Sequence, residues 1–80
     1  MIYYVAMPFL PAGGGGLAPG QPMECPSEGA AIRRAAAMSR HEAHAGAVAF
    51  SRRGNPELGE FEDAVILKTF GEVPEDFWYA

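Results

Sequence analysis

Apolar and polar positions along this chain change period several times, and each change marks an element. Over residues 2–9 an extended chain places Ile2, Tyr4 and Ala6 on one side and Tyr3, Val5, Met7 and Phe9 on the other. Tyr and Val suit a pleated, half-buried surface, so this stretch reads as a strand, with Pro8 expected to end its regular pairing or to lie on an edge. Residues 11–20 hold four consecutive glycines and two prolines, a composition that reads as a flexible loop. Residues 21–25 form a short candidate strand returning beside the first. The period then shifts to 3.6. Ser27 is a suitable N-cap and Glu28 complements the dipole of a helix expected over residues 28–44, with Gly46 as its stop. On that helix Ala31, Ile32, Ala35, Met38 and Ser39 share one side, and Arg33, Arg34, Arg40, His41 and His44 gather on the other.

Beyond the helix, residues 45–51 (AGAVAFS) are apolar on both faces, as a central strand would be. Residues 52–59 (RRGNPELG) are dense in turn formers around Asn55-Pro56. Residues 62–70 then supply Val65, Ile66, Leu67, Thr69 and Phe70. A helix fits the spacing of Phe61, Ala64, Val65 and Lys68, but a β-rich run after a turn-rich connection predicts a hairpin strand. The expected architecture is α+β: a small antiparallel sheet of order β-β-α-β-β along the chain, with one helix packed on one face. Residues 72–80 read as an acidic-aromatic tail closing a single domain over residues 1–80.

Length limits what this pattern can build. A chain of 80 residues supplies one core and buries roughly 60–65% of its unfolded surface. The apolar share is 49%, yet fourteen of those residues are alanine. The larger core candidates are Ile2, Val5, Met7, Phe9, Ile32, Met38, Val48, Phe50, Phe61, Val65, Ile66, Leu67, Phe70 and Trp78. So thin a core favours recruiting a partner or a second copy of the chain, and a homodimer is one expectation. Cys25 is the one cysteine, which excludes an intramolecular disulfide and a cysteine zinc cluster and points to a reducing, cytoplasmic setting. No run approaches the ~20 apolar residues of a membrane-spanning helix, and the apolar N-terminal stretch lacks the basic flank of a signal peptide.

The net charge of −4 is unevenly spread. Arg33, Arg34, Arg40, Arg52 and Arg53 make the middle of the chain basic, while Glu57, Glu60, Glu62, Asp63, Glu72, Glu75 and Asp76 make its last third acidic. Such asymmetry can steer a partner. The arginine arc on the helix, extended by Arg52 and Arg53 in the following loop, is the best argument for nucleic acid. The sequence pI near 5.0 argues against it.

Candidate chemistry is sparse. The glycine run is followed by Leu17-Ala18-Pro19-Gly20 rather than by Gly-Lys-Ser/Thr and a helix, so it lacks the context of a phosphate-binding loop. His41 and His44 stand three apart, not four as in the metalloprotease motif, and no second cysteine or third histidine completes a zinc set. Ser27, Ser39, Ser51 and Cys25 lie in no nucleophile-elbow pattern, and the adjacent Glu62 and Asp63 point to opposite faces of a strand. No metal, cofactor or catalytic residue is expected, and the chain reads as a non-enzyme. Phe77, Trp78 and Tyr79 are expected first to pack back over an open sheet face, because the core is otherwise short of large side chains, and as the alternative to anchor a partner, because Trp and Tyr dominate interface hot spots.

The stretch AGAVAFSRRGNPELGEF…VILKTFGEVP resembles a group of short uncharacterised bacterial proteins, in its A-F-S-R strand end, its Gly-Asn/Asp-Pro turn and its closing F-G-x-V-P. The resemblance covers roughly the last thirty-five residues and implies no activity, cofactor or site residue. The leading functional expectation is a small, non-catalytic protein-binding or regulatory protein, such as an inhibitor of a larger complex, with Phe77, Trp78 and Tyr79 as anchors and Arg33, Arg34 and Arg40 as an electrostatic face. Nucleic-acid association through the same arginines comes second, and a small enzyme third.

Overall fold

The computed structural model of the chain describes residues 1–74. Phe77, Trp78 and Tyr79, the aromatic anchors expected from the sequence, lie outside the described residues, as does the rest of residues 75–80. The described residues form one helix and an antiparallel sheet, a small α+β fold with the helix packed against the sheet. In chain order the elements are β1 (Ile2–Pro11), β2 (Leu17–Pro19), β3 (Met23–Cys25), α1 (Glu28–Ser39), β4 (Gly46–Asn55), β5 (Glu60–Phe61) and β6 (Val65–Gly71).

The expected pair of hairpins is present, each with an interrupted return leg. β1 and β4 are the long central strands, paired from Ile2↔Arg53 to Phe9↔Gly46. β2 and β3 share the outer side of β1, and β5 and β6 that of β4. The glycine-rich loop is shorter than expected. Ala12 N–H donates to the Gly16 carbonyl at 2.8 Å, and Leu17–Pro19 pairs with β1 through Phe9–Pro11. Pro8, expected to end pairing, sits inside a central strand and is buried. The reason is local. The amide nitrogen and carbonyl of a residue in an antiparallel strand project to the same side. The Pro8 carbonyl accepts from Gly20 N–H at 2.8 Å, so its missing donor faces the break between β2 and β3, where no ladder bond is lost.

The helix starts where the sequence placed it: Ser27 Oγ accepts from Ala30 N–H at 3.1 Å, and Glu28 lies in the first turn. It ends five residues earlier than expected, at Ser39. There Arg40 N–H turns back to the Ala37 carbonyl, His41 N–H and the His44 ring to the Met38 carbonyl, and Ser39 Oγ–H to the Ala36 carbonyl. With those carbonyls satisfied by turn and side-chain donors, the helix stops without a glycine. Gly46, expected as that stop, opens β4 instead. The second hairpin is also longer than expected, since β4 runs through Arg52 and Arg53 to Asn55 and the turn occupies residues 56–59. The Asn55 side chain caps that turn by accepting from Glu57 N–H at 3.0 Å.

The core under the helix is made of alanine. Ala31 and Ala35 of α1 meet Ala6, Ala47 and Ala49 of the sheet, all without accessible surface, with Cys25 beside them. Tyr4, Ile32, Met38, Leu67 and Phe70 pack around this cluster. A bulge opposite Ala49 and Phe50 inserts Leu67 into β6 and turns it toward the cluster while Lys68 stays exposed. Several expected core residues are elsewhere. Ile2, Phe61 and Val65 are exposed, Trp78 is outside the described residues, and Phe9 and Val48 are the large side chains with essentially no accessible surface. Among the described residues no helix is long and apolar enough to cross a membrane.

Candidate functional site

Strand alternation decides what lies opposite the helix. Ala47 and Ala49 face α1, so Val48, Phe50 and Arg52 face away from it, as do Tyr3, Val5 and Met7 of β1. At one end of that second face Tyr3, Val5, Phe50, Arg52 and Phe61, with Pro22 and Glu24, line a groove of ≈ 570 Å³. The walls come from four strands. Glu24 of β3 stands opposite Val5 of β1, Phe50 of β4 pairs with that same Val5, and Phe61 of β5 stands opposite Gly54 of β4. Its volume and mainly apolar lining suit a small ligand or a few side chains of a peptide.

Phe61 is the most exposed aromatic wall, 47% accessible, yet its position is fixed from several sides. Its ring lies 6.2 Å from that of Tyr3 at 43°, and the Arg52 guanidinium sits 5.6 Å from its centroid. Arg52 Nε donates to the Glu62 carbonyl at 2.9 Å, and Glu62 N–H donates to the Arg53 carbonyl at 2.8 Å, which hold the strand carrying Phe61 against β4. Gly54 makes room beneath: a Cβ there would collide with Phe61 Cδ1. Tyr3 is tied by its hydroxyl to Met1 Sδ at 3.0 Å. The groove therefore presents aromatic rings already held in place, flanked by one cation and by the Glu24 carboxylate.

A second hollow of ≈ 630 Å³ lies among Ile2, Ser51, Arg53, Phe61, Glu62, Asp63 and Val65. Its charged walls meet in a single long contact, Arg53 Nε to Glu62 Oε2 at 3.9 Å between exposed side chains, which contributes little. The aromatic groove offers more to a ligand.

The residues singled out from the sequence are dispersed. Arg33 and Arg34 are exposed on α1, while Arg40, expected on the same helix face, is exposed just past the helix end; none of the three makes an ion pair among the described residues, and the Arg33 guanidinium lies over Gly29. Arg52 and Arg53 belong to β4 rather than to a loop, and Arg52 points to the face opposite the helix, so it does not extend their arc. His41 and His44 lie beyond the helix end, in a turn that brings their rings to 4.7 Å. His41 Nδ1 accepts from Ala43 N–H at 3.1 Å, and His44 Nδ1–H donates to the Met38 carbonyl at 2.8 Å, so each has a structural partner. Among the described residues no three His, Cys, Asp or Glu side chains come together. Cys25 is free and buried beneath the helix, its thiol directed to the Met23 carbonyl at 3.6 Å.

The groove itself was missed by sequence reasoning, although a signal for it was present. Residues 45–51 are apolar on both faces, and one helix covers only one face. The chain matches no protein-family model, no curated protein and no solved structure.

Proposed function

We propose that this is a small, non-catalytic cytoplasmic protein that works through a protein interface, binding an apolar segment of its partner in the groove formed by Tyr3, Phe50, Arg52 and Phe61. The observation that carries this reading is the aromatic lining of the groove, with an exposed Phe61 held under the Arg52 guanidinium. Aromatic residues and arginine are the side chains most enriched where proteins bind one another, and rings fixed in advance lose little entropy when a partner docks. A site of this size suits an extended peptide or loop, and a regulatory or inhibitory role in a larger complex follows from such a contact.

The test is selection of random peptides displayed on phage against the full chain, followed by titration of the enriched peptides. Phe61→Ala and Arg52→Glu are each expected to weaken binding about tenfold, equivalent to ~1.4 kcal/mol. Failure to enrich any peptide, or affinity in both variants unchanged from that of the unmodified chain, would sink the proposal.

Arg33, Arg34 and Arg40, exposed and without ion pairs among the described residues, support nucleic-acid association as the second reading. Affinity for a single-stranded oligonucleotide would then fall with salt at a log–log slope of about −0.7 per neutralised phosphate and vanish in the Arg33→Glu/Arg40→Glu double variant. Flat salt dependence excludes it.

A further inference from the structure

One end of the sheet's helix side lies beyond the helix. α1 begins after Cys25, which stands opposite Tyr4, and the chain re-enters the sheet at Gly46, opposite Phe9. Ile2 and Arg53, paired at the far end, and the paired Ser51 and Val65 beside them are therefore not covered by α1. β5 pairs with β4 at Gly54 and Asn55, β6 pairs with it from Ser51 back to Gly46, and residues 62–64 between them run outside the ladder. That detour brings Glu62 and Asp63 to the same end and completes the hollow of ≈ 630 Å³.

Ser51 points to a ligand there. It is only 8% accessible and lines the hollow, yet its hydroxyl makes no hydrogen bond among the described residues. A hydroxyl largely withdrawn from water without a partner costs free energy that alanine at the same position would avoid. The surrounding walls offer both signs of charge and an apolar surface. Arg53 and Glu62 approach only to 3.9 Å through exposed side chains, so neither is committed to the other, and Asp63 has no ion pair among the described residues. Ile2 and Val65 are exposed apolar side chains that a ligand can cover. Charge then decides between ligand classes. An anion would meet two carboxylates and one cation, and a lone cation would meet Arg53. A metal ion would lack a third His, Cys, Asp or Glu among the described residues. A zwitterion satisfies both signs at once.

We infer that this hollow binds a free α-amino acid with an apolar side chain. The ligand's carboxylate pairs with the Arg53 guanidinium and its ammonium with Glu62 and Asp63, while the Ser51 hydroxyl hydrogen-bonds to one of the two groups. Its side chain lies on Ile2 and Val65. The ammonium and carboxylate of an α-amino acid share one carbon, so the protein charges that receive them must stand close together, as Arg53 and Glu62 do. Phe61 is the one residue lining both this hollow and the aromatic groove, and the inference goes beyond the groove reading without depending on it.

The experiment titrates L-leucine, L-isoleucine, L-valine, L-methionine and L-phenylalanine separately into the full chain and follows the backbone amides by NMR. Saturable shifts at Ser51, Arg53, Glu62 and Asp63 are expected with at least one of these amino acids. Two analogues of the tightest binder, one without its ammonium and one without its carboxylate, are each expected to bind at least about tenfold more weakly. Ser51→Ala and Arg53→Gln are each expected to weaken binding about tenfold, with far-UV circular dichroism unchanged. Ser51→Ala removes a single atom from a paired strand, which keeps the fold available for the test. No saturable shift with any of the amino acids by ~10 mM, a concentration that reveals even millimolar affinity, overturns the inference. So does an analogue that binds as tightly as its parent, which makes the hollow a site for a single charge. Affinity unchanged in either variant overturns it as well.

Discussion

Under the helix the sheet presents Ala6, Ala47 and Ala49, and α1 answers with Ala31 and Ala35, all without accessible surface. On the other face the same strands present Tyr3, Val5, Met7, Phe50 and Arg52, joined by Phe61. The contrast follows from what each face must meet. A helix can lie close on a sheet only where the side chains between them are small, and a methyl-lined contact achieves that with little rotamer entropy to lose. Alanine contributes little apolar area, so Tyr4, Ile32, Met38, Leu67 and Phe70 pack around the edge of that contact, while Tyr3, Val5, Phe50 and Phe61 stand on the side the helix does not cover. One face is built for backbone-to-backbone proximity; the other holds the shape and chemistry that a ligand can read.

The strongest way to break this comparison is to enlarge a residue on each face. Ala49→Leu, pressed between β4 and α1, is expected to destabilise by about 3 kcal/mol, whereas Val5→Leu on the groove side should change stability by less than about 0.5 kcal/mol. Urea unfolding of the two variants measures the difference, and equal costs would mean that the alanine contact is not tightly packed.

Loosening the helix from its end is a milder perturbation of the covered face. Ser27→Ala removes the side-chain acceptor for Ala30 N–H and should cost ~1 kcal/mol. For a domain of this size that corresponds to a fall in Tm of roughly 4–8 °C by differential scanning calorimetry, and a smaller fall would place α1's stability entirely in its sheet contact.

On the groove face the expected pattern inverts. Phe61→Ala should cost no more than about 1 kcal/mol of stability, since its ring is already half in water, while weakening peptide binding about tenfold. Loss of stability matching the loss of binding would make Phe61 a structural residue rather than a contact. The smallest effect is expected at Glu62→Gln. Its 3.9 Å contact with Arg53 joins two exposed side chains, so chemical denaturation should register under about 0.5 kcal/mol, while the Glu62 carbonyl that holds Arg52 is untouched.

Local signals were legible where a residue's own chemistry settles the backbone. Ser27 before an alanine-rich 3.6-period marks the helix start, and the β-rich run at Val65–Gly71 is a strand despite its partial helical spacing. The helix end was not legible, because the bonds that stop it at Ser39 come from the Ser39 and His44 side chains and from the turn that follows. Pro8 misled for a related reason: its missing donor matters only on the side where β2 and β3 happen to break. Of the arginine arc only Arg33 and Arg34 lie on the helix, since it ends before Arg40, and the extension through Arg52 was not legible, because Arg52 lies in β4, where strand alternation sends its side chain with Val48 and Phe50 to the far side of the sheet.

The sequence by itself determined the class of fold, the cap of the helix and the alanine character of its buried side, since each follows from period and residue type within a few positions. Tertiary structure alone decided that Tyr3, Phe50, Arg52 and Phe61, far apart along the chain, share one groove. That juxtaposition depends on strand register and on the room Gly54 leaves for the Phe61 ring, which are set by pairing across the sheet and leave no trace in the spacing of neighbouring residues.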